Sequence, residues 1–201
     1  MSPSAVLAYV RPMIWSPPKE RSTTLLNAVR VLRIFSRLVE MKRSLEAASP
    51  DPRLNFWNIQ YGGLMNLSVI EWCKLFGSDN NNDLHWKNVY ANRIDDFRSR
   101  MIKASGVSPS VWTAYHSHLK SWRDQEFAHQ DIDAPPRENY PHFDIALAVA
   151  RFYHAELIAE LDDLKVSSLP KDLDQWRKRY RAEFDLAAPV ALASTAHLAR
   201  R

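Results

Sequence analysis

Glycine is the scarcest feature of this chain: four residues in 201, about 2% where about 7% is usual. A sheet built on tight glycine turns is thereby disfavoured, and a helical bundle, which needs few glycines, is favoured. Cysteine is nearly absent too. Cys73 stands alone, so no internal disulfide and no cysteine-rich zinc site can form, and its apolar surroundings suit a core position in a reducing, cytoplasmic setting. No stretch of about 18 apolar residues runs without charge, which excludes a transmembrane helix from the expectations. Residues 1–18 lack the basic start and unbroken apolar run of a signal peptide and contain Pro3, Pro12, Pro17 and Pro18, so an extended arm is expected there. Phosphate-cradling glycine motifs and the glycine-flanked serine of hydrolases are missing, as is the paired-histidine helix of zinc proteases. Asp79-Asn80-Asn81-Asn82-Asp83 imitates the start of a calcium loop, but Leu84 stands where that loop needs glycine and no closing glutamate follows. His116 and His118, two apart on a helix, point to nearly opposite sides and cannot chelate one ion. Nothing in the sequence calls for a metal or a cofactor.

What remains is a chain that is 46% hydrophobic with 11% aromatic residues, enough for one sizeable core and little disorder. Prolines punctuate it at 50, 52, 109, 135, 136, 141, 170 and 189, and the gaps between them read as helices. A first helix is expected from about Glu20 to Ala48, with Leu25, Val29, Leu32, Phe35 and Val39 on one face and Arg30, Arg33 and Arg37 on the other. A second, from about Leu54 to Phe76, is apolar nearly all round, which places it at the centre of the bundle with Trp57, Leu64 and Trp72 mostly buried. A third carries Ile94, Phe97 and Met101 and closes at Gly106. The fourth starts near Pro109 and carries Trp112, Tyr115, Leu119 and Trp122. A fifth carries Ile145, Val149, Phe152, Leu157 and Leu161. The last begins after Pro170 and carries Trp176, Tyr180 and Phe184. The expected fold is an all-α bundle of five to six helices in one domain over residues 19–188, with a frayed, flexible tail over 189–201.

Charge is modest overall, at +4, which permits nucleic-acid binding without requiring it. Arg30, Arg33 and Arg37 form a stripe able to track phosphates, and Arg177, Lys178, Arg179 and Arg181 interleave with Trp176 and Tyr180. A solvated helix face accounts for either stripe as well.

The most informative text is Trp122-Arg123-Asp124-Gln125-Glu126-Phe127-Ala128-His129-Gln130-Asp131. Here the chain resembles the HEPN superfamily, whose ribonuclease members carry arginine, a polar residue, and histidine four to six positions after the arginine. The local text is most similar to the abortive-infection AbiU-type branch, as are Phe56-Trp57-Asn58 to Leu75-Phe76 and Pro141-His142-Phe143-Asp144. It departs from that branch at Gln130, where a basic residue is expected. The resemblance spans roughly Leu54 to Leu164 and implies an HEPN-like bundle. The activity it implies is a metal-independent endoribonuclease, the toxin of a toxin–antitoxin or phage-defence system. Arg123 would stabilise phosphate charge, Asp124 would orient it, and His129 would exchange the proton. The implied partners are RNA, an antitoxin protein and a second copy of the chain, since on a helix Arg123 and His129 lie about 120° apart and do not face each other. A non-catalytic HEPN-like module that binds a nucleotide, RNA or a protein is the other reading. In a purely structural role, Arg123 would pair with Glu126 one turn on and His129 would help to end the helix.

Overall fold

Proline sets the frame. In the computed structural model, which describes residues 18–127, 139–166 and 170–200, all regular elements are helical. They are α1 (Pro18–Ala48), α2 (Asn55–Phe76), α3 (Trp86–Val89), α4 (Ile94–Ser105), α5 (Pro109–Phe127), α6 (Asp144–Asp163) and α7 (Leu173–Thr195), with 3₁₀ turns at Ala91–Arg93 and Ala196–Arg200. Pro18 and Pro109 open α1 and α5, where the missing N–H costs nothing. Gly106 ends α4 in the left-handed conformation at φ 76°. The chain is thus the all-α bundle that its sequence leads one to expect. The additional helix is α3, four residues long and too short to show a period. Apart from Pro18, the arm over 1–18 lies outside the described residues.

The centre of the bundle is α1 rather than α2. It touches α2, α6 and α7, and Leu25, Ala28, Val29, Leu32, Phe35 and Val39 are all fully buried. Ion pairs fix the directions. Arg43 reaches Asp144 and Arg21 reaches Glu160, so α6 runs antiparallel to α1. Arg177 reaches Glu40 while Ala188 packs with Leu45, so α7 runs parallel to it.

Trp72 and Leu64 are buried, and Trp57 is half-buried with its indole N–H donating to Thr195 Oγ1 at 2.8 Å. One side of α2, from its start past its middle, has no neighbour among the described residues. Phe56, Ile59 and Leu67 are 56%, 63% and 48% exposed. All-round apolarity therefore marks a helix that is enclosed on every side only in its last turns.

Two apolar clusters result. The larger joins α1, α2, α4, α5 and α6 through a chain of rings, in which Trp72 stacks on Phe76 at 5.1 Å, Phe76 meets Tyr153, and Tyr153 meets Phe97 and Tyr90. The smaller holds Leu45, Leu64 and Ala188, flanked by Leu38, Trp57, Tyr61 and Leu192. It explains why the last helix does not stop at Pro189, where the sequence suggests a frayed tail. Pro189 lies inside α7 and faces solvent, while Ala188, Leu192 and Thr195 find partners on α1 and α2. Burial and the bond to Trp57 offset the cost of one missing backbone hydrogen bond.

Candidate functional site

The resemblance points to α5, whose buried stripe of Trp112, Leu119 and Trp122 seats it against α2. The register is antiparallel. Trp122 Nε1 donates to Asn66 Oδ1 at 3.0 Å, and His116 Nε2 lies 2.6 Å from the Phe76 carbonyl. That seating puts Arg123 at the edge of the α2–α5 contact, with its side chain 28% exposed.

Arg123 Nε donates to Asp124 Oδ1 at 2.7 Å, and Nη2 lies 2.5 Å from the same oxygen. The fork is therefore held by the adjacent carboxylate; the side chain of Glu126, the other candidate partner, lies outside what the structure describes. Nη1 turns toward the end of α2. A Cβ built on Gly77 would come within 2.8 Å of it and 2.6 Å of the Cys73 carbonyl, so glycine is needed there for close approach. Burial raises the Cys73 thiol to about 11, against the opposing pull of the Arg123 guanidinium. A thiol protonated at neutral pH is a core group and no nucleophile.

The same end of α2 gathers two histidines. His116 bonds to the Phe76 carbonyl, and His85, at the start of α3, accepts from the Lys87 N–H at 3.2 Å. Burial holds His85 down to about 4 and lowers His116 as well. Both are neutral at pH 7 and serve the fold: the His116 imidazole meets the buried Phe76 carbonyl at the end of α2, one of the last-turn carbonyls that no helical N–H reaches. His118 is half-buried beside the Trp122 ring. Nothing in the sequence pattern signals that His85 and His116 share this place, because it joins α3 to α5 across a long separation.

His129 lies outside the described residues, as does Arg137 of the proline-rich loop. Among the described residues, no group of three or more histidines, cysteines or carboxylates is arranged to hold a metal, and no helix is long and apolar enough to cross a membrane. Asp79 of the calcium-like run instead pairs with Lys87 at 3.1 Å, and Asn82 ties the loop together by donating to the carbonyls of Lys74 and Ser78.

The two basic stripes, separate in the sequence, meet in space. Arg33 lies over the Trp176 ring at 4.6 Å and Arg37 over the Tyr180 ring at 5.8 Å. Arg30, Arg33 and Arg37 with Leu26, Val29, Ile34, Trp176 and Tyr180 line a groove of about 250 Å³ between α1 and α7. Arg177 and Arg181 are turned inward, to Glu40.

No protein-family model matches the chain, and neither the curated proteins nor the solved structures give a significant match. The likeness to the HEPN superfamily therefore stands on the local text around Arg123 and His129 and on the two flanking segments.

Proposed function

We propose that the protein is a metal-independent endoribonuclease of the HEPN kind, acting as the toxin of a toxin–antitoxin or phage-defence system in the cytoplasm. The observation that carries this reading is the Arg123–Asp124 pair. A guanidinium at the rim of a helical groove, still partly open to solvent, has its fork set by a neighbouring carboxylate that is itself 53% exposed. A phosphate that approaches replaces Asp124 on the fork and finds the guanidinium already oriented, which is where such a group is of most use to a transition state that gathers charge. His129 takes the proton of the RNA 2′-hydroxyl, the role for which imidazole is the side chain best suited near neutral pH. The 2′ oxygen then attacks phosphorus, the bond to the 5′ oxygen breaks, and that oxygen leaves with a proton. The products are a 2′,3′-cyclic phosphate and a 5′-hydroxyl.

A second copy of the chain completes the site in this reading. The exposed apolar stripe of Phe56, Ile59 and Leu67 supports it, since it lies on the same helix that seats α5 through Asn66 and Trp122. Large side chains left in water at about 1.5 to 3 kcal/mol each favour a partner on that face.

The test is cleavage of a mixed-sequence RNA in EDTA by the purified protein. His129→Ala and Arg123→Ala should each lower the rate by at least about a hundredfold, and Arg123→Lys nearly as much, because an ammonium cannot grip two phosphate oxygens. Full activity in His129→Ala, or activity that EDTA removes, overturns the mechanism. The alternative is then a non-catalytic HEPN-like module. It is favoured by one observation, the arginine groove on the far side of α1.

A further inference from the structure

The arginines of α1 fall into two groups. Arg21 is paired with Glu160, and Arg43 with Asp144 and Glu40. Between them, Arg30, Arg33 and Arg37 have no carboxylate partner among the described residues. The acids closest along α7 are already engaged: Asp174 with Arg151 and Arg177, and Asp185 with Arg181. A solvated face would explain exposed, unpaired Arg30 and Arg37. It does not explain Arg33, whose Nε is buried without a hydrogen-bond partner, nor the Trp176 Nε1, which is buried in the same condition. Arg33 is instead fixed in the groove wall, its guanidinium over the Trp176 ring and its Nη2 donating to the Pro170 carbonyl at 3.4 Å, so a cation is held in place there rather than left to wave in solvent.

The floor and the far wall add a second requirement. Leu26, Val29 and Ile34 are apolar. Along α7, Trp176, Tyr180 and Phe184 form a ladder of rings at 5.1 Å and 5.9 Å, with the last two stacked. The arginines advance about 5 Å per step along α1, beside rings that advance at the same pace. A ligand that suits this wall carries anions at short, regular intervals and flat faces between them. An acidic peptide supplies the anions but not the faces. A nucleotide unit supplies both.

We infer that the α1–α7 groove binds single-stranded RNA, with Arg30, Arg33 and Arg37 on successive phosphates and a base against the rings of Trp176 and Tyr180. This rests on the RNA reading above for the choice of polymer, though not on cleavage. The groove lies on the α7 side of α1, away from α5, and so acts as a strand anchor separate from Arg123. Free nucleotide shares this chemistry and is distinguished from the polymer by experiment.

The probe is a fluorescein-labelled decamer of 2′-O-methyl RNA, which cannot be cut through a 2′-hydroxyl, measured by anisotropy at two salt concentrations against the full-length protein. Arg30→Glu with Arg37→Glu should weaken binding at least tenfold and flatten the salt dependence by about 1.4, which is about 0.7 for each phosphate no longer neutralised. Both residues are exposed and unpaired, so the fold should hold; circular dichroism checks it, and Arg37→Gln alone, expected to weaken binding severalfold, decides if the double variant does not fold. Trp176→Ala should weaken binding severalfold by removing a ring on which a base stacks. Displacement of the decamer by adenosine monophosphate at millimolar concentration assigns the groove to free nucleotide, and resistance to it assigns the groove to the strand. The proposal is overturned if the decamer does not bind, if the charge reversals leave its affinity unchanged, or if polyglutamate displaces it as readily as unlabelled RNA does. His129→Ala should leave decamer binding intact. RNA cleavage that persists without groove binding overturns the anchor alone, and groove binding without any cleavage overturns the nuclease reading alone.

Discussion

The two ends of α1 are built to different standards. Around Leu25 to Val39 every core position meets α2 or α6, and the rings of Trp72, Phe76, Phe97 and Tyr153 close the space behind them. Around Leu45 the core thins to three buried residues, and the apolar side chains next to it look outward: Phe56 and Ile59 from α2, Leu186 and Val190 from α7. The difference shows that apolar content alone does not decide burial. Burial depends on whether a second element arrives, and at this end none of the described elements covers the remaining apolar surface.

Truncation is the most direct way to sharpen the contrast. Phe97→Ala, in the closed region, should cost about 3 to 5 kcal/mol in denaturant unfolding, whereas Leu64→Ala, in the thin one, should cost about 2. Equal costs would erase the distinction. The next effect comes from Glu40, a buried carboxylate on α1 whose Oε1 lies 2.9 Å from Arg177 Nε and 2.6 Å from Nη2. Glu40→Ala leaves that guanidinium without its main partner and should cost about 3 kcal/mol. The exposed Arg98–Asp95 pair, removed in the same way, should change little.

Acid should act on the closed region in particular. His85 and His154 are both held down to about 4 by burial, with the Arg33 charge adding to the effect on His154. Their unfolded forms titrate near about 6.5, so as pH falls the unfolded state takes up protons first. The stability present above about pH 6.5 is then lost progressively down to about pH 4. Together the two groups should remove about 2 to 3 kcal/mol by about pH 5.5. A melting temperature that stays flat between about pH 7 and 5.5 would show that these imidazoles are not neutral in the fold. The smallest effect belongs to the outward face. Ile59→Asp should change the unfolding free energy of the monomer by no more than about 0.5 kcal/mol. In light scattering at tens of micromolar it should convert the proposed dimer to monomer, and a wild-type protein that is monomeric there would remove the proposed role of that face.

Much of the scaffold is legible in the sequence. Proline positions and helical spacing locate six of the seven described helices, though not the end of the last, because both are local properties of the chain. The functional features are less so. Arg123 and Asp124 are neighbours in sequence, and their pairing follows from adjacency. The groove, by contrast, needs residues 30–37 and 176–180 together, and only the parallel packing of α1 and α7 provides that. The burial of Glu40 is hidden for a similar reason. A glutamate beside an apolar stripe reads as a boundary residue until its partner 137 positions later comes into place. The continuation of α7 through Pro189 likewise depends on what Trp57 and Leu45 offer to it.

That separation of 137 positions also orders events during synthesis. At about 5 to 20 residues per second, Glu40 is made roughly 7 to 27 seconds before Arg177. Through that interval Glu40 has only the looser contact with Arg43 on its own helix, at 3.7 Å, so burying it stays costly and this side of the helix does not close. The helix can pair early with α2 through Val29, Leu32 and Phe35, and with α6 once Glu160 has been made, but the flank that becomes the arginine groove stays open until α7 arrives. The groove thus takes shape late, and a chain that stalls before residue 176 presents Arg30, Arg33 and Arg37 without the rings that give them their setting.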